Sequence, residues 1–209
     1  MRKILTPLAG LAVLALALSL AIAADEKKEG SGKAQIGAPA PAFSLQDTGG
    51  KTVSLSDYSG KIVVLEWVNP DCPFVQRHYN LKTMTSLADK NKEKDVVWLG
   101  IATGGTADAD KLKSFAEKES IGYPILLDPE GATAKAYSAK TTPHMFIIDK
   151  EGKLVYAGGI DDQPNGDPKA PLKEGTVNYV DKALSEIQAG QPVSNPETKA
   201  YGCSVKYKR

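Results

Sequence analysis

The apolar positions of the chain recur at two different periods, and the switches between them mark out its elements. From Phe43 to Leu45 and from Thr52 to Leu55, short alternating runs flank Asp47-Thr48-Gly49-Gly50, a set of turn formers, and predict a small hairpin. Ile62 to Val68 (IVVLEWV) is a β-branched and aromatic run without alternation. It predicts a strand covered on both faces, ended by Pro70. Val75, Tyr79, Leu81, Met84, Leu87 and Ala88 then follow at helical spacing and predict one helix from Pro73 to about Asn91. The same reading gives strands at Val96 to Ala102, Pro124 to Leu127, Met145 to Ile148 and Lys153 to Ala157, the last two joined by Lys150-Glu151-Gly152. Helices are predicted near Asp110 to Lys118, Thr133 to Tyr137 and Thr176 to Ala189. This alternation predicts an α/β domain: a central mixed β-sheet flanked by helices, with an N-terminal β-hairpin. Gln191 to Arg209 carries two prolines and no period, and is expected to cross the surface without forming an element.

The two ends change that picture. Arg2 and Lys3 precede an almost wholly apolar stretch from Leu8 to Ile22, and Ala21-Ile22-Ala23 puts small residues where a signal peptidase reads them. Residues 1–23 are therefore expected to be a signal peptide, with a mature start near Ala24 and a periplasmic or secreted product. The apolar stretch is short for a span of ~20 residues, so no stable membrane association is expected after cleavage. Residues 24–35, charged and Gly/Ser-rich, are expected to be a flexible linker. Residues 36–190 then have the size of one domain, and 191–209 form a tail.

The chain has 26 basic and 25 acidic residues, and removing Arg2 and Lys3 leaves 24 basic ones. A balance so close to neutral carries no electrostatic footprint for nucleic acid. The two cysteines, Cys72 and Cys203, both lie in the exported part, where a disulfide can persist, although a separation of 131 residues says nothing about their distance in space.

Cys72 stands where a strand hands over to a helix, with Pro73 at the favoured first helical position. Unpaired amides and the dipole of a helix start stabilise a thiolate, which makes Cys72 the candidate reactive thiol; the alternative is an inert cysteine packed as a small hydrophobe. Glu66 is the one carboxylate in an apolar strand, where burial costs several kcal/mol unless the group protonates or finds partners. A strand end in contact with water is the competing reading. Arg77 and His78 point away from the helix face under Cys72 and are expected to be solvated. Trp67 and Trp98 are expected in the core. His144 is a strand histidine that either approaches the thiol or is satisfied by backbone groups. Asp161-Asp162 opens a Gly/Pro-rich loop read as surface, with an acidic loop that holds a cation weakly as the alternative.

The segments GAPAPAFSL (37–45) and GKTVSLSDYSGKIVVL (50–65) resemble the entry segment of redoxins of the alkyl hydroperoxide reductase and thiol-specific antioxidant type. Thr142-Pro143 resembles the cis-proline loop that faces the reactive cysteine in thioredoxin-like folds, and Asn69 to Val75 (NPDCPFV) with Tyr201 to Tyr207 is similar to the exported peroxiredoxin-like subgroup. The resemblance implies a thioredoxin-like fold and a thiol-dependent oxidoreductase in which Cys72 attacks a peroxide or a disulfide, with a reducing thiol partner and no cofactor or metal. It also implies a role for Thr142 and Pro143 facing Cys72, and for Glu66, six residues before Cys72, in tuning or deprotonating a cysteine. Three positions depart from these two patterns. Val75 stands where thioredoxins carry a second cysteine, and in the peroxiredoxin pattern counted from Pro70, Phe74 and Arg77 replace Thr and Cys.

Without a thiol at position 75, oxidised Cys72 must be resolved from elsewhere. The tail after Gln191 is long enough for Cys203 to do so, and Gly202 gives its backbone freedom. A non-catalytic thioredoxin-fold binding module, with Cys72 and Cys203 as a structural staple, is the alternative. A copper-handling protein on the same fold ranks last, because it needs paired nearby cysteines that this chain lacks.

Overall fold

In the computed structural model, residues 32–207 are described; the expected signal peptide, and all of the expected linker before Gly32, lie outside them. Asp47 turns the hairpin of β1 (Ser44–Asp47) and β2 (Thr52–Ser54), since its carboxylate accepts the amides of Gly49 and Lys51 at 2.8 and 2.9 Å. Gly50, at φ 85°, takes the left-handed position that this tight reversal requires. β3 (Ile62–Trp67) is buried at every position, as its unbroken apolar run predicts. It pairs in parallel with β4 (Val96–Thr103), which pairs in parallel with β5 (Ile125–Asp128). On the other side β3 pairs antiparallel with β7 (Met145–Ile148), and β7 with β8 (Leu154–Gly158). With β1 added antiparallel to β5, the seven strands run β2-β1-β5-β4-β3-β7-β8.

The expected helix from Pro73 to Asn91 is two. α1 (Pro73–Asn80) ends at Leu81, and Lys82 adopts the left-handed conformation before α2 (Thr83–Asn91) begins. Apolar spacing continues through the break because both helices lay their apolar sides on the same sheet face. α3 (Ala109–Glu119) is capped by Asp108, α4 (Ala132–Tyr137) follows β5, and α5 (Tyr179–Gln188) is capped by Asn178, three residues later than its apolar pattern starts.

Strand alternation divides the core in two. Ile62, Val64 and Val68 of the β3 run face one cluster with Val75, Tyr79, Met84, Trp98, Leu112 and Leu184, while Val63, Leu65 and Trp67 face a second with Tyr137, Phe146 and Leu154. Both tryptophans are buried, as expected. Among the described residues, no helix is long and apolar enough to cross a membrane.

The tail departs from its expected course. Instead of crossing the surface unstructured, it adds β9 (Cys203–Ser204), paired antiparallel with β6 (Thr141–Thr142), so that Thr142 faces Cys203. Val205 is buried in the second cluster, whereas Tyr201 and Cys203 pack on the first. The tail thus closes over the end of the sheet where β3 delivers Cys72. Its sequence hides this role because its apolar residues are too few and irregularly spaced to show a period.

Candidate active site

Cys72 is placed by a turn that Asn69 organises. The Asn69 carboxamide accepts the Asp71 amide at 3.0 Å, its carbonyl accepts the Cys72 amide at 3.0 Å, and Gln76 donates back to the Pro70 carbonyl at 2.9 Å. Cys72 is the N-cap of α1 with Pro73 next, so its side chain sits at the helix start that the sequence predicts. It has no exposed surface. Sequence reasoning missed Asn69, although an asparagine two residues before the end of a turn is a legible signal.

The Thr142-Pro143 peptide is cis, and the Cys72 thiol donates to the Thr142 carbonyl at 2.9 Å. From the other side comes Cys203, reduced and partly buried, whose thiol hydrogen-bonds the Cys72 sulfur. Gly202 is what lets the tail in: its φ is 133°, and a Cβ there would fall on the Thr142 carbonyl. Four of the residues singled out in the sequence, Cys72, Thr142, Pro143 and Cys203, therefore meet at one point.

The two thiols have opposite acidities. Burial pushes the Cys72 thiol up, but hydrogen bonding by the Cys203 thiol, then by the Thr142 side-chain hydroxyl and the amides of Val75 and Cys203, outweighs it and holds Cys72 below its ordinary value of 9.0. Cys203 is pushed up to about 11 by burial, by the hydrogen bond it gives Cys72, and by the charge that Cys72 carries when ionised. The sequence argument assigned the acidity of Cys72 to the helix start. Val75 does supply an amide, but the larger contribution comes from the tail.

Glu66 is fully buried, so the strand-end reading falls. It faces the first cluster, where Tyr79 donates at 3.0 Å, Trp98 at 3.0 Å and Tyr123 at 3.0 Å. Burial raises its carboxyl from 4.5 to about 7 against the pull of these three donors. One partner, Tyr79, lies in the second turn of α1, and among the described residues neither sulfur hydrogen-bonds the carboxyl. Tyr79 follows Val75 by one turn, so the carboxyl lies under the part of α1 that Val75 begins.

Three expectations about polar residues are corrected. Arg77 and His78 have no exposed surface, because the loop after β8 folds over α1. Arg77 donates to the carbonyls of Ala170, Pro171 and Gln163 at 3.0, 3.1 and 3.4 Å, which makes a guanidinium the internal strut of a loop without regular structure. Asp161 opens that loop but is buried, not at the surface. Helical angles alone show which way a residue points, not that a distant loop covers it. His144 lies against Phe146 with ring centroids 4.4 Å apart and the planes tilted by 44°, and its Nδ1 accepts the Lys140 amide at 3.2 Å. It lies on the second-cluster side, and burial lowers it to about 4, leaving it neutral.

A cysteine at a strand-to-helix junction, facing a cis-proline loop across a mixed sheet, defines a thiol-dependent oxidoreductase of the thioredoxin fold. Residues 36–157, more than half the chain, match the AhpC/TSA family, and the chain belongs to that family. It is 32% identical over 123 residues to a thiol-disulfide oxidoreductase ResA of Bacillus thuringiensis subsp. konkukian, covering 59% of this chain and 69% of that protein. An uncharacterized conserved protein from Geobacillus kaustophilus superposes with a TM-score of 0.73 at 29% identity, over 83% of this chain and 93% of the other. A hypothetical protein from Sinorhizobium meliloti 1021 shares the fold with a TM-score of 0.72 at 23% identity, over 83% and 95% of the two chains.

Proposed function

We propose that Cys72 is the nucleophile of a thiol-disulfide exchange and that Cys203 resolves it. The observation that carries this reading is that two free thiols meet, Cys72 the more acidic of the two and Cys203 the less acidic. Cys72 thiolate attacks one sulfur of a substrate disulfide and releases the other half as a thiol, leaving a mixed disulfide. Cys203 then gives up its proton and attacks the Cys72 sulfur, which releases the second half as a thiol and leaves the Cys72–Cys203 bond. A reducing thiol partner restores the pair. Cys203 so takes the place left empty by Val75. Thr142 and Pro143 hold the strand that presents Cys203, and Glu66 tunes α1 from beneath.

The complete burial of Cys72 favours a second oxidant, a small peroxide. Its attack would give an alcohol and a Cys72 sulfenate, which condenses with Cys203 and loses water. Reduced protein treated with glutathione disulfide in one arm and hydrogen peroxide in the other, followed by peptide mapping, tests both. The Cys72–Cys203 disulfide is expected in the wild type, and Cys203→Ser should stop at an adduct on Cys72. Oxidised protein with the two cysteines unlinked, or with Cys203 modified first, would overturn the assignment.

For the whole chain, the proposal is export with cleavage after Ala23, a linker to residue 35 and a domain over 36–190 closed by the tail. N-terminal sequencing of the protein from its host should find Ala24 first; a chain that retains Met1 would refute it.

A further inference from the structure

Tyr201, Asp161 and His78 form a buried polar cluster that the chemistry above does not use. The Tyr201 hydroxyl donates to Asp161 Oδ1 and lies 2.9 Å from His78 Nε2. A hydroxyl has one proton, and the carboxylate takes it, so the His78 Nε2–H must donate to the Tyr201 oxygen. Burial, with Arg77 beside it, holds His78 neutral by lowering it to about 3. The remaining atoms, Asp161 Oδ2 and His78 Nδ1, are buried without a partner. Two buried groups thus each use one hydroxyl of the tail, and each keeps an atom that nothing else satisfies.

The place of this hydroxyl gives it meaning. Tyr201 precedes Cys203 by two residues, across the bend at Gly202, and both side chains pack on the first cluster. Its ring lies against Phe74 and His78, with centroids 6.0 and 6.1 Å away, and both of these belong to α1, the helix that begins at Cys72. One end of the Tyr201–Cys203 segment is therefore tied to the helix carrying the nucleophile. The other end is tied to β6 through the Thr142 pairing and the Val205 amide, 3.0 Å from the Lys140 carbonyl.

We infer that Tyr201 is the positioning residue of the Cys72–Cys203 couple: held by Asp161 and His78, its hydroxyl fixes Cys203 against Cys72 and so sets how readily the disulfide closes. This rests on the proposed role of Cys203. Closing the couple with glutathione disulfide forms one intramolecular S–S bond, breaks one S–S bond, and delivers two electrons and two protons as two glutathione molecules. The equilibrium constant of that exchange measures the effective concentration of Cys203 at Cys72.

The test is that constant for the full mature chain, with the thiolate titration of Cys72 followed by its ultraviolet absorbance. Tyr201→Phe keeps the ring contacts and removes the hydroxyl; a fall of about tenfold is expected, the size of one hydrogen bond to a charged group. Cys72 should also titrate higher, since the thiol that lowers it is held less firmly. Asp161→Asn keeps an acceptor for the hydroxyl and should stay within about twofold of the wild type. Asp161→Ala, which leaves the ring in place, should reproduce the fall and serves if Tyr201→Phe does not fold. A wild-type constant and titration in Tyr201→Phe, with the disulfide still forming, would overturn the positioning role alone. Failure of the wild type to form the disulfide would overturn the role of Cys203, and the positioning role of Tyr201 with it.

Discussion

Glu66 couples the stability of the fold to pH in an unusual direction. In the unfolded chain its carboxyl titrates near 4.5, whereas in the folded protein burial raises it to about 7. Below pH 4.5 both states hold the proton and the group is neutral in each. Between these values the folded state holds a proton that the unfolded state has released, so stability falls as pH rises, and above pH 7 the loss is complete. At 1.36 kcal/mol per pH unit, the interval amounts to about 3 kcal/mol, undiminished by solvent because the side chain is fully buried. His78 and His144 oppose it: their folded values of about 3 and about 4 lie below the unfolded 6.5, so they remove stability as pH falls from 6.5. The raw stability curve mixes both trends, but the difference between the wild type and Glu66→Gln isolates the carboxyl. Gln fills nearly the same volume, has an oxygen to accept from the tyrosines and Trp98, and does not ionise. Urea unfolding of both proteins from pH 4.5 to 8 should show the variant gaining about 3 kcal/mol on the wild type across the range, most of it by pH 7. Because Trp98 donates to this carboxyl, its fluorescence in the folded wild type should change with the same midpoint. A difference in stability that stays level across the range would mean that Glu66 ionises in the fold as it does in water, and the burial argument would fail.

Gly202→Ala should cost more than about 1 kcal/mol, because φ 133° excludes a side chain and the Thr142 carbonyl occupies its space. Hydrogen exchange should show the Val205 amide losing protection, and full protection in the variant would count against the close fit of the tail. Arg77→Ala leaves three loop carbonyls without their donor and should destabilise the protein by about 2–4 kcal/mol in urea unfolding; a change under about 0.5 kcal/mol would show that the strut is dispensable.

The order of elements and the place of Cys72 at a helix start could be read from the sequence, because both are local. The apolar run of β3, the turn chemistry at Asp47 and Gly50, and a cysteine followed by proline at a helix start are set by neighbouring residues. The resemblance extended this to Thr142-Pro143 and to the fold. The break at Lys82 was hidden because one apolar stripe serves both α1 and α2. Arg77 and His78 were misread for a related reason: a helical wheel tells direction, while the loop and the tail that bury them arrive from nearly a hundred residues away or more. Asp161 was misread because the tail that covers it, through Tyr201, lies forty residues on.

The carboxyl of Glu66 drew notice as a charge in an apolar strand, yet its ionisation depends on Tyr79, Trp98 and Tyr123, which come from a helix, another strand and a loop. The tail shows the same division. Its sequence supplies Cys203, a glycine that can lie flat against a carbonyl, and a tyrosine two residues from the sulfur. Only the tertiary structure decides that Thr142 pairs with Cys203 and that Tyr201 reaches Asp161 and His78. A thiol separated from its partner by 131 residues has no local signal of proximity, and its acidity is fixed by contacts that exist only once the chain has closed on itself.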